Sequence, residues 1–310
     1  MTSWIKKYHI GPLIGLIVLV IVLSLASSQF FTIGNLSNVL LQTSVNALIA
    51  VGMTFVILTA GIDLSVGSSL ALSSAIAAGL MASNTNPWIA SIIGIVVGAG
   101  AGLVNGLFVA YGRLAPFIVT LGTMTLYRGL TQIYTQGMPI FNLPNSFSNF
   151  GAGSLLGVPI PVLVTALVFI LAWIVLKRMT TGRRIYALGG NESAAYLAGV
   201  PVRRYLVLVY VISGVLAALA GLILTSRLST AEPTAGTGYE LDAITAVVLG
   251  GTSLFGGEGT LLGTLIGALI LGVINNGLNI LNVNSFYQDA VKGVIILLAI
   301  MLDRKKSPRR

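Results

Sequence analysis

The chain has no cysteine, one histidine and eight acidic residues among its 310 positions. Without cysteine there is no disulfide, no thiolate metal site and no thiol nucleophile. The one histidine, His9, precedes the first apolar run. It reads as an interfacial residue and gives no footing for imidazole catalysis or a His-based metal site. Charged residues make up only 8% of the chain, against about 25% in an ordinary soluble domain. Between Lys7 and Arg113 the only charge is Asp63. A soluble fold of this length cannot keep its surface wet with so few charges, whereas a bilayer accepts such a surface. The chain also lacks a Walker phosphate loop with its Lys-Ser/Thr. It has no basic module with interleaved aromatics, so nucleic acid is not an expected partner. No cofactor is expected.

What the chain does have is long apolar runs, such as 11–26 and 161–176, a hydrophobic content of 55% and a mean hydropathy of +0.96. In hydrocarbon every backbone N–H and C=O must be paired within the protein, which leaves helices or closed barrels. Barrel strands alternate apolar and polar residues over about 10 positions; these runs do not. The expected fold is all-α: a polytopic membrane protein forming a single transmembrane domain over 1–310. Hydropathy places ten helices near 10–28, 42–61, 64–83, 88–111, 114–135, 161–177, 205–225, 241–257, 260–281 and 286–302. The first run resembles a signal peptide, with Lys6 and Lys7 ahead of it and Ser24-Leu25-Ala26 at its end. It is long for one and many spans follow, so it reads as a retained helix. The span 241–257 is the least regular, because Gly250-Gly251 and Gly256-Gly257 invite a broken or re-entrant segment.

Charge asymmetry tests the count. Ten spans put both termini on one side. That side then carries Lys6, Lys7, Arg113, Lys177, Arg178, Arg183, Arg184, Arg203, Arg204, Arg304, Lys305, Lys306, Arg309 and Arg310, which are 14 of the 17 basic residues. The positive-inside rule makes it the cytoplasmic side. The segment 136–160 falls outside and has no Lys or Arg. The net charge of +9 therefore reflects topology and contact with anionic membrane lipid.

Glycines mark helix contacts. Gly94, Gly98, Gly102 and Gly106 recur every four residues on one helix face, and Gly263 and Gly267 repeat the spacing. Small faces let helix backbones approach closely in lipid, within one subunit or between two. A partial echo links 103–107 to 274–278, in segments expected to run in opposite directions, as in an inverted repeat.

Four polar residues stand out as candidates for the translocation path. Asp63 follows Gly61, which is suited to end one helix in the left-handed region, while Asp63 caps the next. A place in the path or against a cytoplasmic partner is the other reading. Arg128 lies about 14 residues into its span, roughly 20 Å along the axis, where a charge must be paired or face water. Glu240, Asp242 and Asp289 are its candidate partners. Lys292 has Asp289 three residues earlier on the same helix face. A structural ion pair and a pore-lining role both remain open for Arg128 and Lys292. Asn276, in the Asn275-Asn276-Gly277 string, is the fourth.

The segment 177–204 is the most informative for function. Asn191 is placed to cap a short helix over Glu192–Leu197, which Gly199 and Pro201 end. Flanked by arginine pairs beneath the bilayer, this is a handle for a soluble partner, or a basic loop against lipid headgroups.

The strings Gly61-Ile62-Asp63-Leu64-Ser65-Val66-Gly67, Ala187-Leu188-Gly189-Gly190-Asn191-Glu192 and Pro233-Thr234-Ala235-Gly236-Thr237-Gly238-Tyr239-Glu240-Leu241-Asp242 carry a resemblance. Val248-Leu249-Gly250-Gly251-Thr252-Ser253 and Asn275-Asn276-Gly277-Leu278-Asn279 add to it. Together they resemble the permease subunits of bacterial monosaccharide ABC importers, and within that family the ribose members, chiefly through 231–292. Ala60 stands where many relatives have a second Gly. The resemblance implies a permease of the bacterial inner membrane, working as two copies, with a cytoplasmic ATP-binding subunit and an extracytoplasmic sugar-binding protein. It implies that the coupling segment, about 178–204, docks in the ATPase through Arg183, Arg184, Gly189, Gly190, Asn191, Glu192 and Gly199. The outer loops, about 136–160 and 226–240, would meet the binding protein. No catalysis is expected on this chain. The alternatives are a self-contained secondary transporter, which needs ion-coupling carboxylates near the midplane, and an intramembrane enzyme, which the lack of Cys and the terminal His disfavour.

Overall fold

A computed structural model describes the backbone of residues 2–304, and side chains from residue 11 to residue 301 except 285, 289, 296, 299 and 300. Apart from a two-residue hairpin, the chain is helical. The helices are α1 (Thr2–Ala26), α2 (Ile33–Leu58), α3 (Val66–Ala82), α4 (Pro87–Ala110), α5 (Pro116–Thr135), α6 (Asn145–Ala152) and α7 (Ile160–Arg178). They continue with α8 (Thr180–Gly190), α9 (Glu192–Leu197), α10 (Val202–Leu228), α11 (Tyr239–Leu249), α12 (Leu261–Ile280) and α13 (Ser285–Arg304). The hairpin pairs β1 (Ser154–Leu155) with β2 (Val158–Pro159) antiparallel. Among the described residues five helices are long and apolar enough to cross a membrane: α2, α4, α7, α10 and α12. The protein is therefore an all-α, multi-span membrane protein, with fewer qualifying spans than the ten expected. α5 and α13 are diluted by polar side chains, and α3 and α11 are short.

Local chemistry sets the helix starts. Thr32 accepts the Asn35 N–H at 3.3 Å, Asn86 accepts that of Trp88 at 3.0 Å, and Thr260 accepts that of Gly263 at 3.1 Å. Each satisfies a donor that has no partner inside its helix. Pro87 and Pro116 stand in the first turn, where a missing N–H is harmless.

Packing then orders the helices. In α2, 78% of the apolar window is buried, against 22% in α7, so α2 is the hub and α7 lies at the periphery. The main core joins Leu48, Met53 and Ile57 of α2 to Leu70 of α3, Ile223 of α10 and Val247 of α11. The glycine face of α4 packs within the subunit, against α10. A methyl group at Gly102 would fall on the Tyr210 carbonyl, and one at Gly106 would come within 2.8 Å of the Val207 Cα. The second glycine pair faces α11: a methyl group at Gly267 would fall on the Ala246 carbonyl. α1 lies on α12, with Leu23 against Gly277.

Two expectations are corrected here. The helix placed at 241–257 stops at Leu249. Eleven residues make about 16 Å of helix, well short of the about 30 Å of hydrocarbon. Gly251, Gly256 and Gly257 then take positive φ of 88°, 82° and 73°, which only glycine adopts freely. The segment after α7 is also more ordered than a loop. α8 precedes the expected short helix, burying Ile185 and Leu188. Its glycines hid it from propensity, yet Gly182 is required by a close approach to the Leu176 backbone.

On the opposite face, Ile140 and Ala231 exchange backbone hydrogen bonds, tying the segment that holds α6 to the turn after α10. Ser226 accepts the Gly151 N–H at 2.6 Å and donates to the Phe147 carbonyl. The side chains of Lys6, Lys7 and His9, and of Arg304, Lys305, Lys306, Arg309 and Arg310, lie outside the described residues.

Candidate functional site: polar junctions among the helices

The α2–α3 turn carries the first junction. Ala60, not Gly61, is the left-handed residue, with φ 61°. Gly61 is needed for another reason: a methyl group there would come within 2.7 Å of the Tyr210 hydroxyl. α3 begins two residues later than a cap at Asp63 requires, with Ser65 in the cap position. Asp63, 1% exposed, instead gathers four donors. Its Oδ1 accepts from the Ser65 N–H at 3.0 Å, the Ser65 hydroxyl at 2.7 Å and, at 3.5 Å, the Asn105 amide; Oδ2 accepts from the Ser213 hydroxyl at 2.8 Å. Asn105 in turn donates to Ser65 at 2.8 Å and accepts from Thr123 at 2.7 Å. One carboxylate thus joins α3, α4, α5 and α10. The sequence reading missed Ser213, Asn105 and Thr123 as its partners. The available signal was Asn105, a lone amide beside Gly106 on the packed face of α4.

The second junction surrounds the start of α11. Arg128 donates one guanidinium nitrogen to the carbonyls of Pro233 at 2.7 Å and Ala235 at 2.8 Å. Its hydrogen-bond partners are backbone carbonyls of the segment before α11; of the carboxylates expected, Glu240 interacts with it electrostatically, and the Asp289 side chain lies outside the described residues. That segment turns through Gly236 and Gly238, at φ 72° and 83°, and Gly236 packs so closely on Gly67 that neither tolerates a methyl group. The Gly238 N–H donates to Glu240 at 3.2 Å, closing the first turn of α11. Along the same helix, Asp242 lies 3.6 Å from Lys292 of α13. Lys292 therefore reaches across to α11; the other partner expected for it, Asp289, lies outside the described residues. Irregular backbone in a membrane protein needs its polar groups covered by protein, and Arg128 supplies that cover for two carbonyls.

Asn276 lies apart from both. It donates to Asn35 at 2.8 Å and accepts from it at 3.0 Å, a reciprocal amide pair that ties α12 to α2.

The third feature is the α8–α9 pair. Asn191 caps α9 as the sequence indicates, accepting the Ala194 N–H at 2.9 Å. Gly199 ends it at φ 78°. Arg184 donates to the Tyr205 hydroxyl at 2.7 Å, while Tyr196 and Leu197 are exposed. α8 is seated on the rest of the protein through its glycines. A methyl group at Gly189 would strike the Leu58 carbonyl and, at 2.5 Å, the Gly257 nitrogen. Gly257 donates its N–H to Leu58 at 3.0 Å. Tyr186 donates to the Gly259 carbonyl at 2.9 Å, and burial pushes its phenol up to about 12, so it remains a neutral donor. The end of α2, the end of α8 and the glycine turn after α11 thus meet at one point.

The family described as the permease component of a branched-chain amino acid transport system matches residues 35–300. The ribose import permease protein of Bacillus subtilis is 55% identical over 300 residues, covering 96% of this chain and 93% of the relative. That of Escherichia coli K12 is 55% identical over 308 residues, covering 98% and 95%. The D-allose transport system permease protein of Escherichia coli is 45% identical over 282 residues, covering 91% and 86%. No solved structure matches the chain.

Proposed function

Because the chain belongs to the family of ribose import permeases, we propose that it is the membrane-spanning, non-catalytic subunit of an ABC-type sugar importer, with ribose as its substrate. Identity of 55% along nearly the whole of both chains supports the family and the sugar. The observation that carries the mechanism is the seating of α8 through Gly189 on the end of α2 and on the glycine turn after α11. A partner that moves α8–α9 moves both at once. The α2 end leads through Ala60 into the Asp63 junction, and the glycine turn leads into α11, whose start Arg128 holds. The path's openness then follows the state of an external motor, as a two-state element biased by its partner requires.

The rest of the proposal is the assembly. Ten helices cross or enter the inner membrane, α11 as a half-span, with both termini cytoplasmic. Two copies pair and receive a cytoplasmic ATP-binding subunit at Arg183, Arg184, Gly189, Gly190, Asn191, Glu192 and Gly199. A sugar-binding protein docks at the face holding α6 and the Ile140–Ala231 bridge. Asp63, Arg128, Asn276 and Lys292 position the helices that line the path. The inverted repeat is retained only as a partial echo between α4 and α12.

Reconstitution tests this reading. Uptake of ribose into vesicles is expected only when the ATPase, ATP and binding protein are all supplied. Uptake driven by an ion gradient alone would overturn it. Within the coupling segment, Glu192→Arg is expected to weaken co-purification of the ATPase about tenfold, or roughly 1.4 kcal/mol, with the permease still membrane-inserted. Unchanged co-purification and transport would count against α9 as the docking element.

A further inference from the structure

A cavity of ≈ 1290 Å³ lies between the α4–α5 turn, α9 and the start of α10. Its lining includes Tyr111, Arg113, Glu192, Tyr196, Arg203 and Arg204. Three guanidinium groups thus face one carboxylate. Among the described residues none of the three arginines forms an ion pair or a side-chain hydrogen bond. Arg203 stacks on Tyr111, 5.4 Å from the ring centroid, which leaves its N–H edges open.

Arg113 is the most telling of them. Its φ is 54°, in the left-handed region that strongly favours glycine and asparagine over other residues. The residue before it is Gly112, so the turn has a glycine to hand and does not use it here. Backbone strain of this kind persists where the surrounding structure holds the residue in place, and it clusters at ligand-binding positions.

The cavity is not walled by polar groups alone. Tyr111 and Leu114 on its rim are exposed, and Val104, Leu107 and Phe108 continue an exposed apolar ridge up α4. A ligand that fits both parts has an anionic head and an apolar body. A soluble anion would leave the ridge unused. Basic pockets between membrane helices suit phosphate headgroups.

We propose that this cavity seats the phosphate headgroup of an anionic phospholipid, with its acyl chains along the Val104–Phe108 ridge of α4. Arg113 and Arg204 hold the phosphate, Arg203 is braced over Tyr111, and Glu192 at the rim disfavours headgroups that carry a carboxylate. The lipid would wedge the α4–α5 turn against α9.

The test uses full-length protein equilibrated in vesicles of equimolar phosphatidylglycerol and phosphatidylcholine, then purified in detergent, with retained lipid measured by native mass spectrometry. The double variant Arg113→Gly, Arg204→Gln is expected to retain phosphatidylglycerol about tenfold less, or roughly 1.4 kcal/mol. Arg113→Gly relieves the backbone, so loss of lipid cannot be ascribed to a damaged turn. The charge-preserving Arg113→Lys, Arg204→Lys pair is expected to keep the lipid, because a phosphate accepts a point charge. Arg178→Gln, whose guanidinium stacks on Trp173, is expected to have no effect. Equal retention by the neutralised variant would overturn the proposal. So would displacement of the lipid by inorganic phosphate, which points to a soluble anion, or by the ATPase subunit, which points to a protein occupant.

Discussion

Asp63→Leu is expected to destabilise the protein by about 3–5 kcal/mol, because several buried donors lose their shared acceptor at once. The carboxylate serves four donors: the Ser65 N–H, the hydroxyls of Ser65 and Ser213, and the Asn105 amide, which also donates to the Ser65 hydroxyl. Each buried group left unpaired costs about 1–3 kcal/mol. Leucine fills the volume but accepts no hydrogen bond. Asp63→Asn keeps one carbonyl oxygen and is expected to cost less than half as much, since a hydroxyl can turn to accept from the new amide. Ser213→Ala removes one donor and leaves the carboxylate three, for about 1 kcal/mol. Reversible unfolding of the purified protein in mixed micelles gives all three values. Wild-type stability for Asp63→Leu would show that the four-helix junction does not depend on its carboxylate.

Gly102→Leu is expected to be as damaging by a different route. The obstruction is backbone, not a side chain that can swing away: a methyl group at Gly102 would meet the Tyr210 carbonyl and, at 3.0 Å, the Val211 Cα. Overpacking commonly costs about 1–3 kcal/mol even where side chains can adjust. Here α4 and α10 must separate along the face that also holds Gly98 and Gly106, so more than about 3 kcal/mol is expected. Gly100 provides the control on the same helix. A methyl group there would meet nothing within 4 Å, so Gly100→Leu adds an apolar side chain in open space. Yield of monodisperse protein by size-exclusion chromatography, followed by unfolding, separates the two. Equal loss from both substitutions would mean that helix propensity or insertion, rather than the α4–α10 contact, sets the result.

These two positions also show what can be read from a chain of this kind. The Gly94–Gly106 face was legible because a four-residue period is a local property, and the helix that carries it was legible for the same reason. Asn191 was legible because a cap acts on a donor three residues away, at Ala194. Partner choice was not. Ser213 lies 150 residues from Asp63 and Pro233 lies 105 from Arg128, and no window of hydropathy contains both ends. Arg128 in particular was expected to seek a carboxylate, because sequence displays side-chain charges and conceals which carbonyls a turn leaves exposed. The left-handed residue after α2 was misplaced by one position for a related reason. Gly61 has the freedom for that conformation but is held by the space beside Tyr210, while Ala60 bears the strain. α11 was drawn too long, although the pairs Gly250-Gly251 and Gly256-Gly257 marked where it could break; the positive φ of Gly251, Gly256 and Gly257 shows the chain turning there.

The clamp on Pro233 and Ala235 has a consequence for how the protein is made. On the proposed topology Arg128 enters the membrane with α5, but the farther of its two acceptors is encoded 107 residues later. At synthesis rates of about 5–20 residues per second, the guanidinium waits roughly 5–20 s for it. During that interval it must borrow water or a lipid phosphate at the interface. The N-terminal half is thus an unfinished body on emergence, and the segment before α11 completes it from the other end of the chain.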